Sequence, residues 1–160
     1  QEGGLRPGTL STHQIVGFGL ACELALAALP EEGPRVRALR EELWRRLEPL
    51  GRVERNGAAE PSVPGILNLF FAGVEGESLL LELEGRVAAS SGSACSSASG
   101  EPSYVLRALG RSDAAAQASL RLSLGRATTA RDVAQAAEAI SAAIRRLRAL
   151  APSGAVERVA

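Results

Sequence analysis

The chain has 160 residues, enough for one domain with a buried core. Hydrophobic residues make up 46% and charged residues 22%, and 18 Lys+Arg balance 18 Asp+Glu, so no global field draws the chain to nucleic acid or to an anionic membrane surface. Every basic residue is Arg; without Lys the chain supplies no Schiff-base amine, no lysine general base and no phosphate-loop lysine.

The first eight residues read as an active-site-type loop rather than as the first element of a domain, which points to a piece of a longer protein. A helix is expected from Ser11 or Thr12, whose hydroxyl can accept amides of the first turn, with Ile15, Phe18, Cys22, Leu26 and Leu29 on one face. Pro30 is expected to end it. Residues 15–29 include Glu23 and are too short to span a bilayer, so no membrane segment is expected and the protein is read as soluble. A second helix, starting at 32–34 and stopped by Gly51, carries Val36, Leu39, Leu43, Leu47 and Leu50. The run 30–34 between the two helices is the expected domain boundary.

After Gly51 the period changes to that of strands, expected at 52–56 and 66–71, the latter bounded by Pro64-Gly65 and Gly73. A short helix over 77–84 precedes a short strand at 86–90. Residues 90–100 then hold only Ser, Ala and Gly besides Cys95; they cannot pack a core, so the segment is expected to be mobile or to approach a ligand closely. A helix over 102–109, an alternating strand over 119–124 and a final helix from Ala130, with Val133, Ala137, Ile140, Ile144 and Leu147 on its apolar stripe, complete the order. Residues after Leu150 are expected to fray. Helices and short strands in mixed order define an α/β or α+β layer fold without internal repeats.

Few residues can carry chemistry. Two cysteines far apart, with no Cys-x-x-Cys and a single His, exclude a disulfide-dense scaffold, argue against a four-ligand zinc site and point to a cytosolic setting. Cys95 has no bulky neighbour to block an electrophile, the situation of a nucleophilic thiol; a small residue in a Ser-rich linker is the alternative. Cys22 reads as a small core residue. Alternation in Leu120-Arg121-Leu122-Ser123-Leu124 sends Arg121 away from the leucines, where its guanidinium either faces water or binds a carboxylate through two parallel hydrogen bonds. Arg6, Thr9 and His13, with Gly8 keeping the backbone bare, could form an anion site at a helix start, although a plain N-cap accounts for Thr9 or Ser11 and a surface position for His13.

Four segments together resemble the carboxy-terminal part of a cysteine desulfurase, a pyridoxal-phosphate enzyme of the fold-type I aminotransferase architecture. They are Gly4-Leu5-Arg6-x-Gly8-Thr9-Leu10-x-Thr12-His13-Gln14 near the start, Ser90-Ser91-Gly92-Ser93-Ala94-Cys95-Ser96, Glu101-Pro102-Ser103-Tyr104-Val105-Leu106-Arg107, and Arg121-Leu122-Ser123-Leu124-Gly125-Arg126. The Ser-Ser-Gly-Ser-Ala-Cys form is similar to that of the class with a long catalytic loop. The resemblance implies a short, mainly antiparallel sheet flanked by helices: residues 1–30 would be the tail of the large domain, 31–150 the small domain, and 151–160 a frayed tail. It further implies that Cys95 takes sulfur from L-cysteine as a persulfide while alanine leaves, that Arg121 binds the substrate carboxylate, and that Thr9 reaches the phosphate of pyridoxal phosphate in the partner subunit of a homodimer. A sulfur-acceptor or scaffold protein for iron–sulfur cluster or thio-cofactor assembly would be the next partner, in the cytoplasm, with no role for nucleic acid or membrane. The cofactor-bearing lysine of the family lies upstream of this segment, so the 160 residues alone are expected to be inactive. A non-catalytic persulfide carrier or interaction module is the competing reading; a related pyridoxal lyase or aminotransferase is disfavoured by the Cys95 segment.

Overall fold

Leu67, Leu69 and Phe71 alternate with Ile66, Asn68 and Phe70, and an extended chain sends the two sets to opposite faces. In the computed structural model, which describes residues 2–5, 7–91 and 101–150, this segment is the central strand of a three-stranded antiparallel sheet. The strands are β1 (Val53–Arg55), β2 (Ile66–Phe71) and β3 (Ser119–Ser123), in the order β1-β2-β3. The register sets Leu69 opposite both Arg55 and Leu120, and Leu67 opposite Leu122. Leu67, Leu69, Phe71, Leu120 and Leu122 thus share one face, which buries against the helices α1 (Thr12–Leu47), α2 (Gly76–Leu83) and α5 (Ala130–Leu150). Two five-residue helices, α3 (Tyr104–Ala108) and α4 (Asp113–Gln117), lie on the approach to β3, and Ala115 of α4 packs with Phe70 and Ala72 on the opposite face. Gly76 lets α2 start directly against α4, where a β-carbon would overlap the Gln117 carbonyl.

The expected strand 52–56 is present as 53–55, and the segment 86–90 contributes a single bridge at Ser90 rather than a strand. The helix at 113–117 was not expected: its Ala-Ala-Ala core carries no apolar period, and only the Ser112 hydroxyl accepting the Ala115 amide at 3.1 Å marks its start. The larger correction concerns Pro30. α1 runs unbroken for 36 residues with Pro30 and Pro34 inside it. Each proline removes one amide, leaving the carbonyls of Leu26 and Pro30 without their helical donors, but both residues are exposed and water can serve them. Beyond the prolines Val36, Arg40, Leu43 and Leu47 bury one face, and that packing carries the helix on.

Ahead of Val36 the helix has no buried residue. Val16, Phe18 and Leu26 are each at least 70% exposed, and Cys22, expected in a core, is exposed as well, because nothing in the described residues covers this face. Continuity through Pro30 also overturns the expectation that the apolar stretch is too short: by length and composition alone the helix could cross a membrane, with a mean hydropathy of 1.4 over its most apolar window.

Arginines tie the layers together. Arg40, 2% exposed, donates to the Ser62 hydroxyl at 2.6 Å and the Val63 carbonyl at 3.1 Å, and pairs with Glu60 at 3.0 Å, so α1 holds the turn between β1 and β2. Arg35 donates to the carbonyls of Thr128 (2.9 Å) and Arg126 (2.7 Å), and Arg126 returns an ion pair to Glu32. Arg148 spans the carbonyls of Leu50, Arg52 and Ala72, and burial holds its pKa below the ordinary arginine value. Arg40→Ala should cost about 2–3 kcal/mol, the scale of orphaning buried acceptors, read as a lower urea midpoint at unchanged m-value.

Candidate active-site face

The face of the sheet away from the main core is polar at one end. Asn56 continues β1, its amide donating to the Asn68 carbonyl at 2.9 Å; Asn68 lies opposite Arg121; and Arg121 exchanges both backbone bonds with Ser90, N to O at 2.7 Å and O to N at 3.2 Å. Asn56, Asn68, Arg121 and Ser90 therefore form one row across the sheet and its added bridge. Ser119 shares the face, two residues before Arg121.

Alternation predicts that Arg121 faces away from the leucines, and it does: Leu120 and Leu122 are buried while Arg121 is exposed, and no ion pair or side-chain hydrogen bond engages its guanidinium among the described residues. The Ser90 bridge matters because Ser90 is, among the described residues, the last paired one before Cys95. Cys95 itself lies outside the described residues, as does Arg6. Thr9 is exposed in the coil before α1, beside Gly8, whose φ of +137° suits a residue without a side chain. The helix from Thr12 to Arg35 is about 36 Å long at 1.5 Å per residue, so Thr9 is held far from Val36, where α1 enters the packed body. His13 is exposed in the first turn. The described residues thus place Arg121 next to the stem of the Cys95 segment and leave Thr9 at the far end of α1.

Sequence patterns did not single out Arg111. It pairs with Glu54 at 2.6 Å, donates to the Arg55 carbonyl at 3.1 Å and lies over the Phe70 ring at 5.4 Å, fastening the segment after α3 to β1 and β2. The described residues before and after Cys95 are therefore both tied to the sheet, by Ser90 to β3 and by Arg111 to β1 and β2. Nearby, Arg55 stacks on Trp44 at 4.5 Å and its hydrogen bond to Glu41 is the main cause that holds the Glu41 carboxyl below its ordinary pKa.

These elements match known proteins. Residues 1–136 match the family described as Aminotransferase class-V, and the chain belongs to that family. It is 51% identical over 151 residues to a protein of Aeromonas hydrophila named Cysteine desulfurase IscS, covering 94% of this chain and 37% of that protein. A Tolumonas auensis protein of the same name is 52% identical, with the same coverage. The chain thus spans little more than a third of the length of these curated relatives. Among solved structures, a NifS-like protein from Rickettsia africae superposes with a TM-score of 0.75 at 24% identity, over 91% of this chain and 38% of that one. A second NifS-like protein gives 0.73 at 29% identity, over 91% and 37%. The expected fold, helices flanking a short antiparallel sheet, is the fold of these neighbours.

Toward pyridoxal phosphate the described residues fit at one end only: the Thr9 hydroxyl beside the bare Gly8 backbone suits a phosphate, whereas no residue of this chain has the amine that would attach the ring. Replacing Arg111 with Met should loosen the downstream anchor of the Cys95 segment. Amide exchange in residues 104–117 is then expected to speed up by roughly tenfold, the equivalent of about 1.4 kcal/mol, with β2 little changed.

Proposed function

We propose that the chain is the small domain, with the end of the large domain, of a cysteine desulfurase that removes sulfur from L-cysteine and leaves alanine. Residues 1–30 belong to the large domain, 31–150 form the small domain with the catalytic segment 90–100, and 151–160 are its tail. The observation that carries this reading is the open Arg121 guanidinium next to the Ser90 stem of the Cys95 segment, in a chain about half identical to proteins named cysteine desulfurase. Arg121 binds the substrate carboxylate through paired N–H donors. The Cys95 thiolate attacks the substrate sulfur; an S–S bond forms as the carbon–sulfur bond breaks, and the carbon takes a proton as alanine departs. Pyridoxal phosphate, held in the complete protein with help from Thr9 of the partner subunit in a homodimer, supplies the electron sink for this cleavage. The persulfide on Cys95 then passes to a sulfur-acceptor or scaffold protein in the cytoplasm, for iron–sulfur cluster or thio-cofactor assembly. The exposed apolar half of α1 is covered by the large domain in this reading, so it has no membrane to cross.

A persulfide carrier without pyridoxal chemistry is the second reading, in which Cys95 accepts sulfur and passes it on. Cys95→Ser in the complete protein separates the two. The desulfurase reading expects cofactor absorbance to remain while labelled sulfur from L-cysteine no longer appears on the protein, since a hydroxyl is a far weaker nucleophile toward sulfur. Label retained on the variant would remove Cys95 from the reaction, and a wild-type protein that never takes up the cofactor would leave the carrier reading standing.

A further inference from the structure

The row that holds Arg121 contains a second donor whose direction is set from a distance. Ser119 donates its hydroxyl to the Ala115 carbonyl at 2.7 Å, so toward Asn56 its oxygen can only accept, and it does so from Asn56 Nδ2 at 2.9 Å. The same Nδ2 donates to Asn68 Oδ1 at 2.7 Å. Turning either amide over would set like groups against each other, so the chain Ala115–Ser119–Asn56–Asn68 fixes which end of Asn68 is oxygen. The Asn56 oxygen is buried without a partner, an unfavourable feature that persists because the opposite orientation would sacrifice the whole chain. The oxygen of Asn68 is therefore occupied, and its two N–H donors have no partner among the described residues.

Register places those donors beside Arg121. Because Arg121 spends both its backbone groups on Ser90, its pairing with Asn68 is of the non-hydrogen-bonded kind, in which Cα atoms approach to about 4.5 Å and side chains are nearest. Both side chains stand on the face opposite Leu67, Leu69, Leu120 and Leu122. A guanidinium fork supplies two donors; a carboxylate offers about four acceptor sites and leaves room for a third donor at its side. We infer that Asn68 is a further substrate-binding residue, its Nδ2 donating to the carboxylate that Arg121 holds. This rests on the reading of Arg121 as the carboxylate residue. The buried Ser119–Asn56 chain acts as a positioning device that presents an N–H, never an oxygen, to the anion.

The variant Asn68→Asp separates this from a structural role, since its carboxylate still accepts from Asn56 yet has lost the donor and repels an anion. Steady-state kinetics of the complete protein with L-cysteine should show KM raised roughly ten- to hundredfold for Asn68→Asp with kcat changed far less, the scale of a lost bond to a charged group. Asn68→Ser, which is neutral and keeps a hydroxyl, should raise KM less. Should Asn68→Asp not fold, a wild-type KM for Asn68→Ser overturns the inference. Arg121→Lys tells the two failures apart: if it raises KM while Asn68→Asp does not, the role of Asn68 falls and that of Arg121 stands; if both leave KM unchanged, the carboxylate site itself is rejected.

Discussion

Strand β3 is committed on three of its four sides, and the rest of the structure follows from that. One face, through Leu120 and Leu122, is in the core beneath α1, α2 and α5; one edge pairs with β2; the other edge, at Arg121, pairs with Ser90. The fourth side, the open face, is left to Arg121. A strand held so cannot slip by one residue without sending Arg121 into the leucine core, which makes the register and the position of the guanidinium a single fact. The Ser90 bridge extends the same constraint to the start of the Cys95 segment.

Parts of this were legible in the sequence because they are local. Period-two alternation located β2 and β3, and the stripe of Val133, Ala137, Ile140 and Ile144 located α5. Alternation also gave the side on which Arg121 stands. What failed was also local in cause: Pro30 looks like a stop because proline usually is one, but an exposed proline costs a helix one amide bond, and packing from Val36 onward outweighs it. The Ser119–Asn56–Asn68 chain could not be read from sequence, since Asn56 meets Ser119, and Asn68 meets Arg121, only through a strand register that joins segments far apart in the chain. Arg111 escaped for the same reason: Glu54 and Phe70 are distant neighbours. Cys22 was misplaced because a helical apolar face implies burial but does not say by what.

The two halves of α1 differ in packing. From Val36 the helix packs on the sheet and, through Arg35 and Arg40, holds both the turn after β3 and the turn before β2. Before Val36 it presents an uncovered apolar surface with Thr9 beyond its start. In the proposed enzyme this arrangement joins a phosphate contact at one end to a carboxylate site at the other, with Cys95 five residues beyond the Ser90 bridge in sequence.

The central claim is that β3 is bonded along both edges, to β2 through the residues on either side of Arg121 and to Ser90 at Arg121 itself, and amide hydrogen exchange at that residue tests it most directly. The Arg121 N–H points to Ser90, outside the three-stranded sheet, at 2.7 Å. The account predicts protection of this amide comparable to that of the Leu120 and Leu122 amides, and loss of that protection alone in a Ser90→Pro variant, whose φ restriction and missing N–H disrupt the bridge. An Arg121 amide that exchanges at the rate of an unstructured peptide in the unaltered chain, while its neighbours stay protected, would contradict it.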